Sequence, residues 1–258
     1  MKLYDTHAHF TADGGKTAAI LQRAAAAGVA DILAVGGSDE LNAAALAVCA
    51  AAGETANLPS AKCALGFDRD QARGDISALV AEAETLATAN RASVAAIGEI
   101  GLDFHYSQDD KPQQCDLFAA ELELAKRLSL PVVIHTREAD DATLGVLDET
   151  DSHCGITHSF TGNRAFARQL LDRGFYVSIS GIVTFRLADN VRDTALYIPD
   201  ESLLIETDAP YLAPVPMRGK ENESAFIEHT CRFLAKLRGT DAAALAALTS
   251  ANAKRLLK

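Results

Sequence analysis

Nothing in this sequence asks for a disulfide framework. Its five cysteines are odd in number and scattered at positions 49, 63, 115, 154 and 231, and no Cys-x-x-Cys pair occurs. The reading is five reduced, mostly buried thiols in a cytosolic protein. Cys154 lies close to His158, but a zinc–thiolate site needs a second cysteine nearby. Long hydrophobic runs are missing too. The longest apolar stretches are alanine-rich and helical, so no membrane association is expected. The start, Met1-Lys2-Leu3-Tyr4-Asp5-Thr6-His7, lacks the apolar core of a signal peptide. A cytoplasmic location follows as the expectation, and no obligate protein partner is evident. Basic residues are in deficit: 24 Lys and Arg stand against 35 Asp and Glu, for a net charge of −11. Broad electrostatic adhesion to nucleic acid needs a basic footprint and is disfavoured. A small cleft, where cations and a few arginines hold phosphate, is still compatible with that charge.

What the chain does have is alternation. Apolar runs bounded by turn residues are predicted as strands over 3–9, 31–35, 62–66, 94–99, 131–135, 155–159, 175–180 and 202–208. Helices are expected over 16–27, 40–52, 76–89, from Pro112 onward, and over 138–149 and 163–173. A short helical segment over 187–195 and two closing helices over 222–238 and 241–257 complete the pattern. Eight strand–helix units predict an α/β fold, a single-domain (β/α)₈ barrel covering residues 1–258. The length of 258 residues fits one such barrel, and no linker or short repeat divides it. The proline-rich segment from Ala209 to Pro216 is expected to be a stiff loop, because proline fixes φ and removes a donor.

Six side chains of metal-ligand type stand at or near the predicted strand ends: His7, His9, Glu99, His135, His158 and Asp208. A barrel of this class gathers its chemistry at the carboxyl ends of its strands, so the six converge on one mouth. His7 and His9 are two apart on a strand and share a face. Asp5 shares that face one step deeper, as a structural or supporting carboxylate or in a direct role. Glu99 has two oxygens and is the natural bridge between two cations, since the fourth strand offers no lysine. Gly98 and Gly101 bracket it and are expected to let the backbone bend close to a ligand. Asp208 is the candidate acceptor of the nucleophilic water's proton as well as a ligand. One or two divalent ions (Mg²⁺, Mn²⁺ or Zn²⁺) are the implied cofactor. Candidate substrate anchors are Arg137, two residues after His135, then Arg218, Lys220 and His105.

The segments that carry these residues resemble the TatD-type metal-dependent deoxyribonucleases, a branch of the amidohydrolase-like barrel enzymes. They are Asp5-Thr6-His7-Ala8-His9, Ala96-Ile97-Gly98-Glu99-Ile100-Gly101-Leu102-Asp103, Pro131-Val132-Val133-Ile134-His135-Thr136-Arg137, Thr157-His158-Ser159-Phe160-Thr161-Gly162, and Leu204-Ile205-Glu206-Thr207-Asp208-Ala209-Pro210-Tyr211-Leu212. The resemblance implies one metal on His7, His9, Glu99 and Asp208, and another on Glu99, His135 and His158. It also implies nuclease activity of the 3′→5′ exonuclease type, with nucleic-acid ends or a small phosphoester as substrate. Some members of the family are linked to removing D-amino acids from tRNA. One segment departs from the pattern. Arg218-Gly219-Lys220 is followed by Glu221-Asn222-Glu223-Ser224, where the family usually has a basic residue, then Asn and a nearby proline.

Two rival readings come from other classes. One is a hydrolase of another bond, such as an aminoacyl-tRNA ester, an amide or an amidine. A deaminase of this kind carries a glutamate three residues after the fifth-strand histidine, and Glu138 has that spacing. The other is a non-catalytic metal-binding module, against which the complete ligand set argues.

Overall fold

Eight apolar runs become eight parallel strands, each followed by a helix that covers its outer face. The computed structural model describes residues 1–54, 57–106 and 109–258. The first half runs β1 (Leu3–Ala8), α1 (Gly14–Ala26), β2 (Val29–Gly37), α2 (Asp39–Glu54), β3 (Ser60–Phe67), α3 (Ile76–Ala89), β4 (Val94–Asp103) and α4 (Lys111–Leu128). The second half runs β5 (Val132–Arg137), α5 (Asp140–Glu149), β6 (Gly155–Thr157), α6 (Arg164–Asp172), β7 (Tyr176–Ile179), α7 (Asp189–Tyr197), β8 (Leu203–Ile205), α8 (Ile227–Arg238) and α9 (Ala242–Leu256). The strands pair in sequence order from β1 to β8. Backbone bonds from Asp208 N–H to His7 O (2.9 Å) and from His9 N–H to Ala209 O (2.8 Å) bring the two ends of the sheet together. The result is a (β/α)₈ barrel.

Period two sorts the strand residues into two apolar layers. Ile32, Ala34, Leu65, Ile97, Ile134, Val177 and Ile205 face the helices and form the larger cluster. Leu33, Val35, Ala64, Ala95, Val133, Ile156 and Leu204 face the barrel axis. The last turn of α9 and the residue after it close the lower end, where Ala253 and Leu257 join the inner cluster beside Tyr4. Asn252 holds that plug in place by donating to Leu203 O at 2.9 Å. Helix starts follow capping rules: Asp13, Asp75, Asn163 and Asp241 accept from first-turn N–H groups of α1, α3, α6 and α9.

Several boundaries differ from the sequence reading. β4 runs on to Asp103, four residues past Glu99, with a register shift against β5 between Ile97 and Ile100. β6 and β8 stop early, so His158 lies one residue and Asp208 three residues beyond them. Past Ile205 the chain turns to pair with β1 instead, and Asp208 takes a left-handed φ of 57°. Glu138, expected to start a helix, has φ 53° and precedes α5. The helix expected from position 222 begins at Ile227. Asn222 instead donates its amide to Thr207 O at 2.8 Å and to Tyr211 O at 2.5 Å, pinning the proline-rich loop. Among the described residues no helix is long and apolar enough to cross a membrane.

Candidate metal centre

Glu99 sits at the middle of the upper barrel mouth with one oxygen turned to each of two histidine pairs. Its Oε2 is 3.4 Å from His7 Nε2 and 3.3 Å from His9 Nε2. Its Oε1 is 3.1 Å from His135 Nδ1 and 3.2 Å from His158 Nε2. Asp208 Oδ1 adds a fourth corner to the first group, 3.9 Å from each of the two nitrogens. The His7 and His158 rings stack with centroids 3.8 Å apart and tie the two groups together. The structure thus gathers His7, His9, Glu99, His135, His158 and Asp208 into one cluster.

The local backbone explains how Glu99 reaches the axis. The break in register at Gly98 and Glu99 interrupts the β4–β5 ladder. The flanking glycines let the backbone bend as expected, and they also make room for the neighbouring strand. A Cβ on Gly101 would lie 2.1 Å from His135 O, and one on Gly98 2.8 Å from Val133 O. Both also hold φ above +120°, a region that side chains other than glycine avoid.

Three of the four histidines are aimed by an acceptor on their far nitrogen. His9 Nδ1–H donates to Val35 O at 3.0 Å, which leaves Nε2 bare toward the cluster. His135 Nε2–H donates to Asp103 Oδ2 at 3.1 Å. His158 Nδ1 faces Glu206 Oε1 at 3.3 Å, and Glu206 also accepts from Ser159 N–H at 2.7 Å. Outward ties of this kind fix the tautomer and orient a ring for a cation. His7 lacks one, and its buried Nδ1 has no partner. Donor atoms around a tetrahedral cation with bonds of about 2.0–2.1 Å lie roughly 3.3 Å apart, and the separations above cluster near that spacing. The donor set is all nitrogen and oxygen, so the residues present fit one or two divalent ions.

Electrostatics follow from burying so many charges together. Burial opposes the charge on Glu99, yet His158, His135 and His7 outweigh it and hold the carboxyl well below its ordinary range. Burial, with His158 and His9 beside it, pushes His7 down to about 4. Asp208 is pushed up to about 6, mainly by burial, with Glu206 and Glu99 adding to the rise. Burial would raise Asp103 as well, but its bond to His135 and the His105 N–H bring it down to about 2.

The cluster opens into a cleft of about 810 Å³ whose walls include Lys16, Asp68, Arg69, Tyr106, Arg137 and Tyr211. Arg137 lies on that wall with its guanidinium 4.9 Å from the Tyr106 ring centre. The other three expected anchors do not line the cleft. Arg218 packs 4.0 Å from the Phe185 ring and donates to Ala213 O, which fixes the proline-rich loop. Lys220 is exposed and off the wall. His105 pairs with Glu138 at 2.6 Å on the outer surface. That pairing also takes Glu138 away from the cluster, where a deaminase would need it. Asp5 makes no contact with the chelating atoms. It accepts from the Thr207 hydroxyl at 2.6 Å and N–H at 2.9 Å, locking β1 to the segment after β8.

The reading of the sequence passed over Asp103 and Arg69. Asp103 lies four residues past Glu99 on the same strand, and period two would have placed it on the same face. Arg69 follows β3, a strand with no chelating residue to draw attention to its end.

Comparisons with known proteins agree with this architecture. The metal-dependent hydrolase YcfH of Escherichia coli K12 is 46% identical over 165 residues, or 63% of this chain and 62% of that protein. The chain therefore spans less than two thirds of that relative in the match. The 3'-5' ssDNA/RNA exonuclease TatD of Salmonella typhimurium is 41% identical over 180 residues, 67% of this chain and 69% of that protein. The crystal structure of YjjV, a TatD homolog from Escherichia coli K12, superposes with a TM-score of 0.88 at 30% identity, covering 99% of this chain and 97% of that one. The TatD-related DNase family matches residues 4–258, and this chain belongs to it.

Proposed function

We propose that this chain is a divalent-metal-dependent phosphodiesterase that trims nucleic-acid ends in the 3′→5′ direction. The observation that carries the reading is Glu99, whose two oxygens each face a separate pair of imidazole nitrogens at 3.1–3.4 Å. That is the arrangement a carboxylate needs to bridge two cations. The name of the Salmonella relative, an exonuclease on single-stranded DNA and RNA, supports the same substrate class. Five free cysteines suit a reducing compartment, and we place the protein in the cytoplasm.

His7, His9, Asp208 and Glu99 Oε2 would hold one ion, and Glu99 Oε1, His135 and His158 the other, with Mg²⁺, Mn²⁺ and Zn²⁺ all compatible with nitrogen and oxygen donors. Such ions polarise a phosphoryl group and make water a nucleophile near neutral pH. The residues of the chain supply the rest. Asp208 stands at the edge of the first group, 3.9 Å from His7 and His9, and is the carboxylate that would accept the proton of the attacking water. Arg137 offers a planar fork to the phosphate oxygens and steadies charge as it develops.

The test is a substrate screen. Metal-free protein, reloaded with Mg²⁺, Mn²⁺ or Zn²⁺, is offered single-stranded DNA, nucleotide esters and aminoacyl-tRNA. Release of mononucleotides from the 3′ end of DNA is the expected result. Turnover confined to aminoacyl-tRNA, or ammonia release from nucleosides, would replace this reading with another hydrolase.

A further inference from the structure

We infer that Arg69 is a substrate anchor, a guanidinium held ready for a phosphate oxygen on the β3–β5 wall of the cleft; this rests on the phosphodiesterase reading above. Three basic side chains line the cleft: Lys16, Arg69 and Arg137. Lys16 is taken by Glu221 at 2.6 Å, and Arg137 lies over Tyr106. Arg69 differs from both. Its side chain is only 19% exposed, and its buried Nε has no hydrogen-bond partner. The two nearest carboxylates stand off, Asp70 Oδ2 at 3.5 Å from Nη2 and Asp103 Oδ2 at 4.0 Å from Nε. Charge-assisted bonds of this type close to about 2.7–2.9 Å when they form. Asp103 Oδ2 is already engaged by His135 at 3.1 Å. An N–H withdrawn from water without an acceptor is costly, and an oxygen of an arriving anion would supply the acceptor that Nε lacks.

The turn beneath Arg69 is stiff. Asp68 N–H donates to Gly37 O at 2.8 Å, and the Asp68 carboxylate accepts from Asp70 N–H at 2.9 Å. Gln71 N–H closes back on Asp68 O at 3.0 Å. The guanidinium therefore stands on a fixed base, so little entropy is lost when it engages a ligand. Its neighbour Asp103 orients His135, and Arg137 is two residues beyond His135 on β5. Arg69 and Arg137 thus line the same cleft as His135 and His158.

The experiment titrates inorganic phosphate calorimetrically into Mg²⁺-saturated protein and measures kinetics on a short single-stranded DNA. Arg69→Met is expected to weaken phosphate binding by about tenfold to hundredfold and to raise KM for DNA in parallel, with metal content and Tm kept. Arg69→Lys keeps the charge, loses the fork and should fall between; it also serves if the methionine variant does not fold. No measurable phosphate binding by the wild type overturns the proposal. Wild-type phosphate affinity in both variants overturns it as well, since a guanidinium that only balanced Asp70 and Asp103 would alter metal affinity or Tm instead. The two readings separate cleanly. DNA turnover by the wild type with unchanged KM in Arg69→Met removes the anchor and leaves the activity. Arg69-dependent phosphate binding without any DNA turnover keeps the anchor and removes the activity.

Discussion

Asp103 Oδ2 stands 3.1 Å from His135 Nε2, and that bond turns the other ring nitrogen, Nδ1, to within 3.1 Å of Glu99 Oε1. The second half of the cluster is thus aimed by a carboxylate that touches no shared donor atom. Asp103→Ala should leave His135 free to rotate. Losing an outer partner of this kind typically lowers metal affinity by about 10–100-fold. Isothermal titration should show one site weakened and the His7–His9 site retained. Equal weakening of both sites would mean that Asp103 supports the barrel rather than the ring.

Asp208→Asn keeps the size of the side chain and removes the base. The loss in kcat is expected at about 10²–10⁴, the range of a positioned acid–base group. His135→Ala should act differently, emptying mainly the second site and recovering part of its activity at high metal concentration. Turnover of Asp208→Asn at the wild-type rate on the best substrate would exclude Asp208 as the proton acceptor.

Glu121 is fully buried on α4 and accepts from Phe67 N–H at 2.7 Å. Burial raises its carboxyl well above the ordinary range, and Asp68 adds to the rise. A carboxyl raised on folding means the native state binds more protons than the unfolded chain. Its contribution to stability is therefore present at low pH and is lost as pH climbs from the ordinary carboxylate range toward the raised value. Glu121→Gln has no proton to lose, and its amide oxygen still accepts from Phe67. The difference in Tm, variant minus wild type, should grow as pH climbs above the ordinary carboxylate range. A difference that is flat or shrinks over that span would show that the buried carboxyl does not titrate as described.

Glu221 follows Arg218-Gly219-Lys220 in the chain and holds Lys16 at 2.6 Å on the cleft rim. Both side chains are exposed, so the pair contributes at most about 1 kcal/mol to stability. Glu221→Gln should release Lys16 to a substrate phosphate. KM for single-stranded DNA should fall a few-fold, and the log–log salt slope of binding should steepen by about 0.7. An unchanged slope would show that Lys16 does not reach the nucleic acid.

Much of this architecture could be read before any coordinates, for a physical reason. Each residue of the cluster closes or follows an apolar run, and period two in a parallel strand carries such a residue to the axis. His7, Glu99, His135 and His158 obey that rule. Asp208 obeys it less directly, because its chain has already left β8 for β1 and turned through a left-handed φ. The rim resisted prediction. Arg218 and Lys220 were expected beside the substrate because cations in a loop after a catalytic strand suggest phosphate. The proximity of Phe185, which occupies Arg218, comes from a different part of the chain and leaves no local signal. Arg69 was overlooked for the opposite reason. Its surroundings come from the Gly37 end of β2, from β4 and from α4, and only three-dimensional neighbours reveal that its Nε has no partner. The glycines around Glu99 were noticed for the bend they allow, and the space they leave for β5 shows only in three dimensions.

The plug formed by Ala253 and Leu257 gives the barrel one door. A polymer end that enters the mouth meets a floor of Leu33, Val133, Ile156 and Leu204 and cannot thread through to the far side. Any released unit must leave by the open cleft. On the proposed activity, the protein would work only on what lies in the open cleft at its mouth, and its polymer would never pass through it.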